Sequence, residues 1–208
     1  MSFRTEEKLV FHKSDHQNLL KFIHNENAKK IFFKRQIKSI YFDNKLRQSY
    51  FNSEEGVVPR KTIRIRSYDE FETNSLEVKI NSVEGKFKQS INLDKKKYYN
   101  LIQHGYFDST YGLMYPVCLI SYKRSYFKIN PDVRLTLDND MEYSSYVNKS
   151  IFYKDIENLI LEVKLNYKNP IKSLSNIIPF ERIRMSKYCT AINKLYNNNF
   201  EQKLRVTI

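Results

Sequence analysis

The chain of 208 residues has no tryptophan, only two cysteines and only four histidines. Cys118 and Cys189 lie far apart, each in an apolar setting, so they read as buried free thiols and fit a reducing compartment. No Cys-x-x-Cys or His/Cys spacing suggests zinc. His12, His16, His24 and His104 are scattered and read as surface or capping residues. No Ser-His-Asp or Cys-His arrangement stands out, which leaves no candidate for a covalent nucleophile. No apolar run approaches the ~20 residues that a membrane helix needs. The N-terminus has no apolar core after its first basic residue, so neither a membrane segment nor a secretory signal is expected, and the expected location is cytoplasmic. No linker, internal repeat or low-complexity stretch divides the sequence, and residues 1–208 read as a single domain.

What is present is positive charge. Lys and Arg number 36 against 23 Asp and Glu, for a net charge of +13. Such a balance implies an anionic partner: nucleic acid, phosphate compounds or an acidic membrane surface. Richness in Lys, Asn, Ile and Tyr is also what an AT-rich genome produces. That accounts for part of the lysine excess but not for where the arginines stand.

The arginines stand in alternating segments. In Leu159-Ile160-Leu161-Glu162-Val163-Lys164-Leu165 the odd positions are aliphatic, while Glu162 and Lys164 share the other face. Arg64 and Arg66 alternate with Ile63 and Ile65. Glu77 and Lys79 alternate with Leu76, Val78 and Ile80. Arg134, Thr136 and Asp138 oppose Val133, Leu135 and Leu137. Glu6 and Lys8 precede Leu9 and Phe11, and Arg124 shares a face with Tyr122 and Tyr126. Period-two alternation is the signal of a half-buried strand. Each segment alone reads as an ordinary antiparallel strand with one face in water. Together they are unusual, because their polar faces carry paired Arg, Lys and Glu rather than mixed Thr, Ser and Gln. A sheet closed on itself would have no exposed edges. The expectation is an α+β fold: a closed antiparallel eight-stranded barrel with a charged lumen and an apolar exterior covered by helices.

Along the chain, strands are expected over Phe3 to Phe11, Lys38 to Asp43, Arg60 to Tyr68, Ser75 to Ile80, Lys86 to Leu93, Met114 to Asn130, Val133 to Asp138 and Leu159 to Leu165. Helices are expected from a cap at Ser14 or Asp15 to Asn25, from Asp94 to His104 with Gly105 as a stop, over Ser173 to Ile178, and from Lys187 to Asn197. Asn44 to Asn52 reads as a short helix or turn. Glu142 to Asp155 gives no clear pattern, with part of it strand.

The ordered set Glu6-x-Lys8, Ser39-x-Tyr41-Phe42-Asp43, Arg64-x-Arg66, Glu77-x-Lys79, Tyr122-x-Arg124, Arg134 to Asp138, Leu161-Glu162-Val163-Lys164 and Ser186-Lys187 resembles the triphosphate tunnel metalloenzymes. Within them it is most similar to the VTC (vacuolar transporter chaperone) polyphosphate polymerase domain. The likeness runs from about Arg4 to Tyr188. It implies a tunnel lined by bases that holds a linear chain of phosphates, with a divalent metal, Mn²⁺ or Mg²⁺, on a lining glutamate. By position, Lys8, Arg64, Arg66, Lys79, Arg124, Arg134, Arg184 and Lys187 match phosphate-binding residues. Lys88 is a looser match, and Lys164 joins them on the face of Glu162. Glu162 matches the metal ligand, with Glu6 as a second candidate. Arg64, Arg66, Arg134 and Glu162 are the expected catalytic group. Tunnel triphosphatases begin with a fuller Glu-x-Glu-x-Lys motif. Here Arg4 stands where the first acid would be, which favours the polymerase-like branch.

These residue types suit the chemistry. A phosphate polymer needs many fixed cations, and the arginine fork grips its oxygens in pairs. Phosphoryl transfer depends mostly on positioning and charge neutralisation. A divalent ion needs only one or two carboxylates when phosphate and water complete its shell. The expected partners are ATP or another nucleoside triphosphate, polyphosphate and tripolyphosphate. The leading reading is a polyphosphate polymerase-like phosphotransferase. A tripolyphosphatase or nucleoside triphosphatase, and a non-catalytic polyanion binder, stay open. Nucleic acid is disfavoured because the arginines alternate with aliphatics rather than with aromatics that stack on bases.

Overall fold

The computed structural model describes residues 4–69, 73–166 and 185–197. Among them are ten strands and four α-helices. The strands are β1 (Arg4–His12), β2 (Lys29–Asp43), β3 (Arg60–Tyr68), β4 (Thr73–Ser82), β5 (Gly85–Leu93), β6 (Tyr106–Asp108), β7 (Gly112–Lys128), β8 (Val133–Ser145), β9 (Phe152–Asp155) and β10 (Asn158–Asn166). The helices are α1 (His16–Asn25), α2 (Gln48–Glu55), α3 (Lys95–His104) and α4 (Lys187–Ile192), the last continuing as a π-helical turn over Asn193–Asn197. No helix among the described residues is long and apolar enough to cross a membrane. The helix expected over Ser173 to Ile178 lies outside the described residues.

The hydrogen-bonded strand order is β1-β10-β8-β7-β2-β3-β4-β5, with β6 beside β7 and β9 beside β8. The expected α+β class with a dominant antiparallel sheet is what the structure has. The path is open, however: β1 and β5 end it, and no ladder joins them among the described residues. Among the described residues the sheet is antiparallel and not closed by hydrogen bonds, so closure into an eight-stranded barrel stays an expectation from alternation and resemblance.

The chain forms two compact units, each assembled from three stretches. One comprises Met1–Arg35, Tyr122–Met141 and Asp155–Met185; the other comprises Gln36–Ser121, Glu142–Lys154 and Ser186–Ile208. The first has its own core. Leu9 and Phe11 of β1, Val133, Leu135 and Leu137 of β8, and Leu159, Leu161 and Val163 of β10 form an apolar sheet face onto which α1 lays Leu19 and Ile23. Leu9, Leu135, Leu161 and Val163 are no more than 1% exposed, and burying each such side chain contributes about 1.5–3 kcal/mol. The approach to α1 differs from the expected Ser14 or Asp15 cap. A 3₁₀ turn over Lys13–Asp15 comes first, with the His12 ring accepting the Ser14 N–H, and Asp15 makes no side-chain capping bond.

The second unit repeats the plan. Ile40 and Phe42 of β2, Ile63 and Ile65 of β3, and Leu76 and Val78 of β4 make the apolar face, with Tyr111 and Met114. Helix α3 starts where the sequence places it, because Asp94 accepts the Lys97 N–H at 2.7 Å. Gly105 ends it at φ +85°, and a Cβ there would stand 2.6 Å from the Met114 carbonyl oxygen. Cys118 and Cys189 are buried and free.

Candidate functional site

In the first unit the register sets charged residues in rows on the face opposite the core. Lys8 of β1 pairs with Glu162 of β10, which pairs with Thr136 of β8. The next row is Glu6, Lys164 and Arg134. The even positions face one way because the odd ones are held in the apolar core. Glu162 is only 5% exposed. Its Oε2 accepts from Arg124 Nη2 at 3.2 Å and its Oε1 from Lys164 Nζ at 2.9 Å. Arg124 of β7 is gripped by Asp138, Nε to Oδ1 at 2.5 Å and Nη2 to Oδ2 at 2.7 Å. Burial alone would lower the pKa of this guanidinium, but Tyr122, Asp138 and Glu162 around it push it well above its ordinary value. Lys8 Nζ donates to the Met185 carbonyl at 3.2 Å. Arg134 is exposed and has no hydrogen-bond or ion-pair partner among the described residues.

In the second unit the charged face carries Tyr41, Arg64, Glu77 and Ser90 in one row, with Arg66 and Lys79 in the rows beside it. Lys79 faces Lys88 across the β4–β5 ladder. Glu77, 3% exposed, accepts from Arg64 Nε at 2.8 Å and Nη2 at 2.6 Å, both on Oε2, and from Lys88 Nζ at 2.5 Å on Oε1. Arg66 Nη1 stands 3.8 Å from the same Oε2. Burial acts to raise the pKa of Glu77; Arg64, Arg66 and Lys88 outweigh it and hold the carboxyl at about 2, against an ordinary 4.5. Arg64 Nη1 also donates to the Tyr41 hydroxyl at 2.8 Å. The Tyr41 ring stacks on Tyr188 at 5.2 Å between centroids, and Tyr188 donates to buried Asp43 at 2.5 Å. Asp43 in turn accepts the N–H groups of Ser49 and Tyr50, fixing the start of α2.

The structure thus brings Glu6, Lys8, Arg124, Arg134, Glu162 and Lys164 onto one face, and Arg64, Arg66, Lys79 and Lys88 onto another. Lys187 is buried at the start of α4, which Ser186 caps by accepting the Cys189 N–H. Arg184 lies outside the described residues. Sequence reasoning missed the weight of three residues. Asp138 reads from sequence as a structural acid pairing with a base near a rim; it does pair with a base, clamping Arg124, but the depth of its burial was not foreseen. Asp43 and Tyr188 join α2 and α4 to the arginine-bearing sheet, and nothing in their spacing announces that bond. No group of three or more metal-ligating side chains occurs among the described residues. Glu162 and Glu6 are neighbours on one face but one row apart, a sparse donor set. It fits a hard cation arriving with substrate phosphates, not one held in an all-protein cage.

The sequence matches the VTC domain family over residues 3–112 and 106–196. The chain belongs to the VTC domain family. No curated protein matches it at a comparable stringency. Among solved structures, this VTC domain is similar to a protein from Bacillus halodurans described as a candidate adenylate cyclase, with 14% identity over 94% of this chain and 98% of that one and a TM-score of 0.61. It is also similar to an adenylyl cyclase-like protein from Hippeastrum described as having a dominant triphosphatase activity, with 15% identity, 92% and 95% coverage and a TM-score of 0.55. A third is a Pyrococcus horikoshii protein, with 14% identity, 95% and 99% coverage and a TM-score of 0.55. At these identities the likeness is one of fold.

Proposed function

We propose that this VTC domain binds linear phosphate chains and transfers phosphoryl groups from a nucleoside triphosphate, ATP, to a phosphate acceptor, acting over residues 1–208 as one domain. The observation that carries the reading is the face of the first unit, where Lys8, Arg134 and Lys164 stand in the rows of the buried carboxylate Glu162. Family membership supports it. Lys8, Arg134 and Lys164 hold the anionic oxygens, and Arg134 is the cation with the most freedom to meet them. Glu162 is oriented by Arg124, while Lys164, 36% exposed at its side chain, is free to yield its place beside Oε1. Glu162, with Glu6, would hold Mn²⁺ or Mg²⁺, which when bound neutralises charge on the phosphate oxygens. In the second unit Arg64, Arg66, Lys79 and Lys88 offer a further phosphate-holding face, and Lys187 a further base on α4.

Polymer growth is favoured over hydrolysis by the chemistry of the acceptor. The end of a phosphate chain is already anionic near neutral pH and needs no base to remove a proton. The bond between the γ-phosphorus and its bridging oxygen breaks, the nucleoside diphosphate leaves with the electron pair, and a terminal oxygen of the acceptor forms the new bond. Hydrolysis stays as the second reading because the similar Hippeastrum protein is described as a triphosphatase. Incubation with ATP and Mn²⁺ tests both. Long phosphate chains on a stained gel are the expected result; orthophosphate without polymer would favour hydrolysis, and binding without either product would reject transfer. The reading has the protein act in the cytoplasm.

A further inference from the structure

One buried group on the first charged face has no place in these ion pairs. Thr136 is 7% exposed, and its Oγ1 is buried without a hydrogen-bond partner among the described residues. It is register-paired with Glu162, and its even-numbered neighbours on β8, Arg134 and Asp138, share its face. β-branched threonine suits a strand, but valine has the same shape and no such penalty, because a buried hydroxyl that meets nothing is a net cost. The carboxylate opposite is already occupied by Arg124 and Lys164. On this face Arg134 on its own strand, Lys164 on β10 and Lys8 on β1 bring positive charge, while the acids Glu162 and Asp138 are taken up by Arg124, so an anionic oxygen is the partner that a hydroxyl donor would complete.

We propose that the Thr136 hydroxyl is a substrate contact, donating a hydrogen bond to a phosphate oxygen held by Arg134, Lys8 and Lys164. This rests on the phosphate-binding reading of the same face and adds to it a neutral donor. A charged lysine or arginine grips any anion; a buried hydroxyl at a fixed strand position is satisfied only when an oxygen sits at one place, so Thr136 sets the register of the chain of phosphates more than its overall attraction.

The test is calorimetric titration of the full chain with tripolyphosphate, for the wild type, Thr136→Val and Thr136→Ser, with melting temperatures measured without ligand. Thr136→Val is expected to bind about tenfold to a hundredfold more weakly, with a melting temperature equal to or above that of the wild type. Thr136→Ser is expected to bind within about threefold of the wild type, since it keeps the donor. If Thr136→Val does not fold, Thr136→Ala against Thr136→Ser makes the same comparison. Equal binding by the hydroxyl-free and hydroxyl-bearing variants overturns this inference alone. Absence of binding by the wild type overturns the phosphate-binding reading and the inference with it. The deficit is expected in metal-free buffer; a deficit seen only with Mg²⁺ present would place the hydroxyl on a metal-bound water and overturn the phosphate assignment.

Discussion

Glu77 takes both Nε and Nη2 of Arg64 on one oxygen, Oε2, and leaves the other, Oε1, to Lys88. A single buried acid thus neutralises part of a basic face while its own proton is driven off. The folded carboxyl, at about 2, lies below its ordinary 4.5, so its contribution to stability is fully present above the ordinary value and is lost as pH falls toward 2. Its size at neutral pH is about 3 kcal/mol. Wild-type stability, followed by urea denaturation from pH 6 down to pH 2, should therefore decline through this window. Glu77→Gln should be less stable at neutral pH and show a visibly flatter decline; an identical slope would contradict the assignment.

Asp138→Ala should destabilise the fold by about 3–5 kcal/mol, because it leaves the buried guanidinium of Arg124 with half its counter-charge. Chemical denaturation checks this. A change below about 1 kcal/mol would mean that the clamp contributes little.

Arg134 and Arg64 should respond differently. Arg134→Ala should weaken tripolyphosphate binding without changing the melting temperature of the free protein, since the side chain is exposed. Arg64→Ala should weaken binding and also lower the melting temperature, since it removes the bidentate partner of Glu77. Thermal-shift assays with and without tripolyphosphate separate the two effects. Unchanged ligand stabilisation in both variants would remove these arginines from phosphate binding.

Glu162→Gln should abolish metal-dependent turnover of ATP while leaving tripolyphosphate binding largely intact. The amide oxygen can still accept from Arg124, but the negative charge that attracts a divalent ion is gone. Product formation and calorimetric binding on the same preparation check it, and wild-type turnover by the variant would end the role given to Glu162.

The strands with clean alternation were legible in the sequence. Leu159 to Leu165, Arg60 to Tyr68 and the β4–β5 hairpin stand where the pattern puts them, and the faces of Glu162, Lys164, Arg64 and Glu77 follow from parity alone. The first half of β2 was not legible. From Lys29 to Arg35 six of seven side chains are charged or aromatic and nearly all are exposed, so no buried face imposes a period. The end of β8 was not legible either: the alternation stops at Asp138, whereas the strand runs on to Ser145 through Asp140, which takes a left-handed φ of +51°. At the candidate sites, parity told which residues share a face but not which would pair. Whether Arg124 reaches Asp138, Glu162 or a phosphate depends on the stagger between strands, and that is written only in the register.

The interleaving of the first unit has a consequence for synthesis. Lys8 lies on the opening strand and Glu162 on the last described strand, yet the two are direct partners. A chain leaving the ribosome cannot complete that ladder until β10 has emerged, so β1 and α1 must wait with Leu9, Phe11, Leu19 and Ile23 uncovered. Assembly of this half should therefore be slow, late and dependent on whatever shields those apolar side chains in the interval.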